Sequence, residues 1–446
     1  MLIVIPSSVT GLTIIGNRSR PLCGGPVRYR VAMSRTRPAS GDAVRRRPKD
    51  RKAQIARASA EAFSALGFHG VSMEAIASRV GISAAALYRH YASKYDLFRD
   101  AVLNLGQQLV DCTAFADGTE FDDPHDELRR LVSGLIDTAM ANRESGGLYR
   151  WEGRYLRGDD QASLIAQMRT VNHRLQRPLR ALRPDLTSRQ RWTLSISVLS
   201  VIGSIVDHRA KLPAVQVRAL LAELATALMA TELPGSTDTV GEPAAPVSTA
   251  SVESSKYEAL LTESMRLFNN KGYRDTGMED IAAAVGMPAS GIYRYFAGKS
   301  DILAAAFRRA ADRLSDELTA ITTAIPDSED ALTAVIDAYV ARSFAQPELD
   351  YVYYTERLNM SPTDQKILRN MQRSTVESIV DLVVAVRPEW TPAQARFAVH
   401  AAMSLVIDLG RLMRYTNSPQ NRAVLQRILD VTLLGRYRLR AALPAK

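Results

Sequence analysis

Cysteine is almost missing from this chain of 446 residues, which has only Cys23 and Cys112. Two thiols so far apart cannot build a metal cage or a disulfide framework, and they suit a reducing cytoplasm. Histidine is scarce too, six in all, with no His-Glu-x-x-His or other ligand spacing. No Gly-rich phosphate loop follows a strand and no nucleophile motif occurs, so nothing asks for an enzyme, a metal or a cofactor. Asp207-His208, the one adjacent acid and base, reads as a helical surface pair. Long apolar runs are also absent. Met1 to Ile15 is broken by Pro6 and Gly11 and has no basic residue before it, unlike an export signal. Leu194 to Val206 is short of the roughly twenty residues that a spanning helix needs.

What remains is the composition of a globular protein, 46% hydrophobic and 23% charged. The formal net charge of +10 is unevenly placed. Residues 1–57 hold thirteen Lys and Arg against Asp42 and Asp50, which leaves the rest of the chain close to neutral. A basic leading arm favours a polyanion through counterion release, and nucleic acid is the commonest one in a cell. A solvated tail without a task is the plainer alternative. Met33 stands just before the arm and is a candidate start, which would put residues 1–32 outside the native product.

An internal repeat organises the sequence. At an offset of 205, Phe63 to Asp96 lies on Phe268 to Asp301 without a gap, and fourteen of the 34 positions are identical. Gly67/Gly272, Ile76/Ile281, Gly81/Gly286, Tyr88/Tyr293, Arg89/Arg294 and Lys94/Lys299 are among them. Downstream, Arg183-Pro-Asp-Leu-Thr and Arg387-Pro-Glu-Trp-Thr each precede a long apolar helix pattern. A unit of about 200 residues occurs twice, too long a period for a solenoid. Between the copies, Glu232 to Ser255 is rich in Pro, Gly, Ser and Thr and reads as a linker. Fully extended, it reaches up to about 80 Å.

Within each copy the apolar spacing is helical, as at Ile55, Ala58, Ala62, Phe63 and Leu66. The expected fold is all-α, twice over. Gln54 to Leu66 predicts a first helix, Ser72 to Val80 a second, Gly81-Ile82 a tight turn, and Ser83 to Tyr91 a third. In the second copy, Thr276 with Glu279 predicts a capping box. Two short helices joined by a Gly-containing turn have the helix-turn-helix spacing, which plain helical hairpins share. Burying Ile76, Ala77, Val80 and Leu87 leaves Ala84, Ala85, Ala86, Tyr88, Arg89 and His90 for the outer face. An exposed aromatic beside a basic residue, a Lys opening the next helix and a basic lead point to phosphate.

The stretch from Gly67 to Leu97, with its Leu-Tyr-Arg-His-Tyr-Ala-Ser-Lys core, resembles the amino-terminal DNA-binding domain of TetR-family regulators. The copy from Gly272, through Gly-Ile-Tyr-Arg-Tyr-Phe-Ala-Gly-Lys, resembles it equally. Two such units behind a basic lead are similar to single-chain double-TetR regulators of mycobacterial lipid-uptake (mammalian-cell-entry) operons. Departures from the family pattern are Val71 and Gly277 in the Thr/Ser pair before the second helix, Ala85 and Ser290 for a small residue, and Pro288 for Ser. They bear on sequence preference more than on DNA binding.

The resemblance implies a sequence-specific, ligand-released repressor acting on double-stranded DNA. Arg89 and Arg294 would take guanine edges or phosphate, with Ser72, Ser83, Thr276, Ala289, Ser290 and Tyr295 nearby. Tyr88, Tyr293, Lys94 and Lys299 resemble the family's phosphate contacts, and Ala84 and Ala86 offer methyls to thymine. Arg45, Arg46, Arg47, Lys49, Arg51 and Lys52 would follow an adjacent minor groove, as basic arms do. The family's pairing through two carboxy-terminal helices per unit implies a four-helix bundle within one chain, from Ser188 to Ala210 with Val215 to Ala230 and Pro392 to Tyr415 with Gln420 to Leu439. Because one third helix would present Ala85, Ala86 and His90 and the other Ser290, Gly291 and Tyr295, the operator would be asymmetric. A small hydrophobic effector, lipid, sterol or acyl, would meet Tyr149, Trp151, Tyr155, Tyr351, Tyr353 and Tyr354, though such aromatic stripes are also plain core. Expected divisions are arm 1–50, head 51–100, helical domain 101–231, linker 232–255, head 256–305 and helical domain 306–446. The competing reading is a helical interaction protein that has lost DNA binding in one or both units.

Overall fold

The computed structural model describes residues 51–235 and 252–435, and within them every regular element is helical. The arm carrying Arg45, Arg46, Arg47 and Lys49 lies outside the described residues, as does most of the linker. No helix among the described residues is long and apolar enough to cross a membrane.

The first head comprises α1 (Arg51–Gly70), α2 (Met73–Val80) and α3 (Ala84–Tyr88). Its larger domain follows with α4 (Lys94–Thr113), α5 (Phe115–Gly118), α6 (Pro124–Ala141), α7 (Gly147–Trp151), α8 (Gly158–Leu182), α9 (Ser188–Gly203) and α10 (Ala214–Met229). The serines set the starts. Ser72, Ser83 and Ser93 each accept a hydrogen bond from the amide three residues on, at 3.1 Å in all three cases, satisfying an otherwise orphaned donor. Gly67, at φ 71°, breaks the last turn of α1, and Gly81, at φ 69°, ends α2 in a left-handed cap that favours glycine. The third helix is shorter than its sequence suggests, ending at Tyr88 instead of Tyr91.

The second unit repeats the order with α11 (Val252–Lys271), α12 (Met278–Ala284), α13 (Ala289–Ile292), α14 (Lys299–Ala324), α15 (Ser328–Ala345), α16 (Pro347–Glu356), α17 (Pro362–Val386), α18 (Pro392–Leu412) and α19 (Pro419–Leu434). Its capping differs from the expected Thr276–Glu279 box. The cap falls on Gly277, whose N–H donates to the Asp280 carboxylate at 2.8 Å. Thr276 is turned inward and its hydroxyl donates to the Gly272 carbonyl, also at 2.8 Å.

The two echoes of Arg-Pro-acid-x-Thr open the bundle helices. Thr187 and Thr391 form reciprocal capping boxes with Gln190 and Gln394, starting α9 and α18. Those two helices lie along each other, and α10 meets α19. Leu194, Val198 and Val201 are fully buried in the same core as Leu405, Val406 and Leu409; burying one such side chain contributes about 1.5–3 kcal/mol. Polar links flank this seam: Arg189 donates to Asn421 at 3.0 Å and Arg387 meets Glu223 at 3.1 Å. The stretch after α10 docks on α19, with the Pro234 carbonyl accepting from Gln420 at 2.8 Å and the Glu232 carbonyl from Arg427 at 3.2 Å. Structured residues therefore reach into the linker from both ends.

Candidate nucleic-acid interface

In the first head, Ile55, Phe63, Ile76 and Leu87 have no exposed surface. Their burial turns α3 so that Tyr88, Arg89 and His90 face outward. Tyr88 is 49% exposed and its counterpart Tyr293 is 53% exposed, unusual for large aromatics that a folded core would otherwise take up. Arg89 and Arg294 are exposed beside them, as are Ser72, Ser83, Ala289 and Ser290. Lys52 is exposed on the first turn of α1, whereas Arg51 is half-buried and donates to the Val80 carbonyl at 3.2 Å, tying α1 to the end of α2.

Three predicted contacts have other work. Thr276 is 1% exposed and holds the loop after α11, so it cannot touch a groove. Lys299 places its ammonium on the carbonyls of Tyr273 (2.6 Å), Arg274 (3.2 Å) and Thr276 (2.7 Å), which engages all three donors. Lys94 does the same job in the first head through the Val71 carbonyl at 3.2 Å, with its charge 4.7 Å from the centre of the Phe68 ring. Burial lowers the pKa of both ammonium groups, and the charge of Arg274 adds to it. These lysines pin the helix-1-to-helix-2 turn. Ala84, Ala86 and Tyr295 are half-buried, so only part of each can be presented. Arg274 also lowers the pKa of His69 in the opposite head, after burial, so these two side chains lie within each other's field.

The second unit contains an apolar, partly open cavity of about 140 Å³ between α14, α15, α16 and α17. Tyr353 and Tyr354 line it, with Phe307, Leu314, Tyr339 and Ile379. The Tyr353 hydroxyl donates to Gln372 at 2.9 Å. The other predicted ligand aromatics do not gather there. Tyr149 packs on the first unit's core, and Tyr155 lies against Phe68 and His69. Tyr351 carries the Arg411 guanidinium 4.6 Å above its ring. Trp151 stacks on Tyr354, centroids 4.7 Å apart, while its N–H donates to Asp207 at 2.6 Å.

Residues 55–101 and 260–306 each match the family profile described as "Bacterial regulatory proteins, tetR family". Both heads are domains of the TetR family. It is 34% identical over 103 residues to the HTH-type transcriptional activator FasR of Mycolicibacterium smegmatis, and 26% identical over 92 residues to the HTH-type transcriptional regulator BetI of Stenotrophomonas maltophilia. Those alignments span 23% and 21% of this chain and 47% of either relative, about half their length. A TetR-like transcriptional regulator from Rhodococcus sp. RHA1, a solved structure, is 26% identical with a TM-score of 0.33, covering 42% of this chain and all (100%) of that one. The two profile matches coincide with the two heads, so this is a TetR chain with tandem units.

Where the TetR units meet, a charged seam escaped the sequence reading. Asp207-His208 is no surface pair. Arg150 is buried between Asp207 (3.2 Å) and Asp408 (2.7 Å), one carboxylate from each unit. Burial opposes the charge on Asp408, but the Arg150 guanidinium holds its carboxyl below the ordinary range, while burial leaves Asp207 raised. His208 stacks face to face on His400 of the other unit, centroids 4.2 Å apart. Burial, followed by the charge of Arg396, depresses His400 to about 4, and burial lowers His208 well below its ordinary value. Nothing in the local spacing around 207–208 marks it as an interface; the only signal is that an apolar helix pattern runs directly into it.

Proposed function

We propose that this chain is a DNA-binding transcriptional regulator that reads an asymmetric operator with two unlike heads on one polypeptide. The observation that carries the reading is the paired exposure of Tyr88-Arg89 and Tyr293-Arg294 at the third helices of the two heads. A recognition helix of this kind enters the major groove, and an exposed arginine there can bond both guanine O6 and N7. The basic residues of the arm, with Lys52, would add phosphate or minor-groove contacts. The shared four-helix seam supports the pairing of the two units as an intramolecular pseudo-dimer.

The apolar cavity of the second unit supports control by a small hydrophobic effector, with release from DNA as the proposed outcome and lipid or sterol genes as the proposed targets. At about 140 Å³ the cavity admits something near the size of benzene without rearrangement, so a larger effector would have to spread α14 from α17, which is a way for binding to shift the heads.

Footprinting on the DNA upstream of its own gene, combined with site selection from a random pool, tests this. The expected result is a bipartite, non-palindromic site. Arg89→Ala and Arg294→Ala should each weaken binding by about 1–3 kcal/mol and relax one half-site only. Loss of affinity with salt should be steep. Perfect inverted repeats would overturn the asymmetric reading, and absence of any protected site would favour an interaction protein.

A further inference from the structure

A second hollow lies between the units, separate from the cavity inside the second one. It is a cleft of about 720 Å³, within the range that holds drug-sized ligands. Its walls come from both halves: Trp151, Glu152 and Val206 to Ala210 on one side, Tyr353 to Val376 and Arg396 to His400 on the other.

The charges in this cleft are unequally satisfied. Its carboxylates are occupied: Glu152 accepts the Phe68 N–H at 2.7 Å, Glu377 is held by both ends of the Arg396 fork, and Asp207 by Arg150, Trp151 and Ser404. Arg357, Arg369 and Arg373 have no carboxylate within ion-pair distance among the described residues. Arg357 instead lies over the faces of Tyr353 and Tyr354, at 5.9 and 5.5 Å. Further in, His208 accepts the Ala210 N–H on Nδ1, which leaves its buried Nε2 a donor with no partner. Alongside the guanidinium groups runs an apolar strip of Tyr354, Leu368 and Val376, which is also a wall of the inner cavity.

We propose that this cleft binds a small amphiphilic phosphate, its anionic head on Arg357, Arg369 and Arg373 and its apolar body along Tyr354, Leu368 and Val376. Arginine forks suit phosphate oxygens in geometry and charge. All six contacts belong to the second unit, and the first unit closes the opposite wall with Trp151, Glu152 and His208, so a ligand that fills the cleft favours the docked arrangement. The cleft also borders the heads, because Leu358 packs against Gly67 in the kink of α1. The inference stands apart from the DNA reading, since binding here does not require that the heads touch DNA.

Calorimetric titration of the full chain with decyl phosphate, below its micelle concentration, and with decanol tests it, with Trp151 fluorescence as a second readout. Decyl phosphate should bind one per chain and at least about tenfold tighter than decanol. The double change Arg369→Gln/Arg373→Gln, at exposed positions, should weaken decyl phosphate by about tenfold or more. Arg129→Gln/Arg180→Gln, exposed on the first unit, should not. Equal affinity for the two probes, no binding of either, or unchanged affinity in Arg369→Gln/Arg373→Gln overturns the proposal. So does loss of binding only when Ala310→Leu plugs the inner cavity, which would assign the ligand to that cavity.

Discussion

Leu105 in the first unit and Ala310 in the second occupy equivalent places on α4 and α14, yet one is buried in solid core and the other lines a hollow. The next residue makes the same contrast. Gly106 lets α4 and α8 approach so closely that a Cβ there would sit 2.2 Å from the Gln167 side-chain oxygen, whereas Ala311 faces the cavity. Leu131, Leu135, Leu164, Met168 and Val171 close the first unit's interior, and between α14 and α17 the second unit keeps its space. The heads differ in parallel. The first head's apolar residues are continuous with a core that runs through its own domain and into the shared bundle, while the second head forms a separate cluster with α16 and the start of α14. Duplication thus produced a close-packed half and a hollow half, and a packed interior transmits position whereas a hollow one can be reshaped.

The strongest way to break this comparison is at the seam on which both halves lean. Arg150→Met removes the guanidinium that bridges buried Asp207 and Asp408 and should cost about 3–5 kcal/mol, read as a large fall in Tm that Asp408→Asn partly restores. If stability is unaffected, the seam does not hold the halves together.

Cavity-forming changes in the two heads come next. Phe63→Ala and Phe268→Ala should each cost about 3–5 kcal/mol locally, but hydrogen exchange should show the first loosening much of the first unit and the second confined to its own head. Equal spread of the two effects would erase the distinction between continuous and separate cores.

The stacked histidines give a smaller, pH-dependent effect. His400 titrates near 4 when docked and near 6.5 when released, so its contribution is complete above about 6.5 and is lost as pH falls towards 4. Tm should therefore decline across that window by the equivalent of about 3 kcal/mol, and His400→Gln should flatten the decline. An unchanged slope would mean that the seam stays closed when the imidazoles are charged.

The smallest effect sharpens the contrast directly. Ala310→Leu gives the second unit the residue of the first, and filling the hollow should raise stability by about 0.5–2 kcal/mol while excluding an apolar effector. Destabilisation would show that the cavity is too rigid to accept the first unit's packing.

Much of this molecule is written locally. Helical spacing, glycine stops, serine caps and the ungapped repeat state that the chain is helical, that it contains two TetR heads, and that Tyr88, Arg89, Tyr293 and Arg294 point outward. These features depend on residues within a few turns of each other. The structural ties of Lys94, Lys299 and Thr276 are not legible in the sequence, because their partners are backbone carbonyls, which every residue possesses and no pattern announces. Asp207-His208 was misread for a related reason: periodicity tells that a helix face is covered but not by what, and here the cover lies about 200 residues away. Which copy is hollow also rests on distances between helices, which only the assembled fold decides.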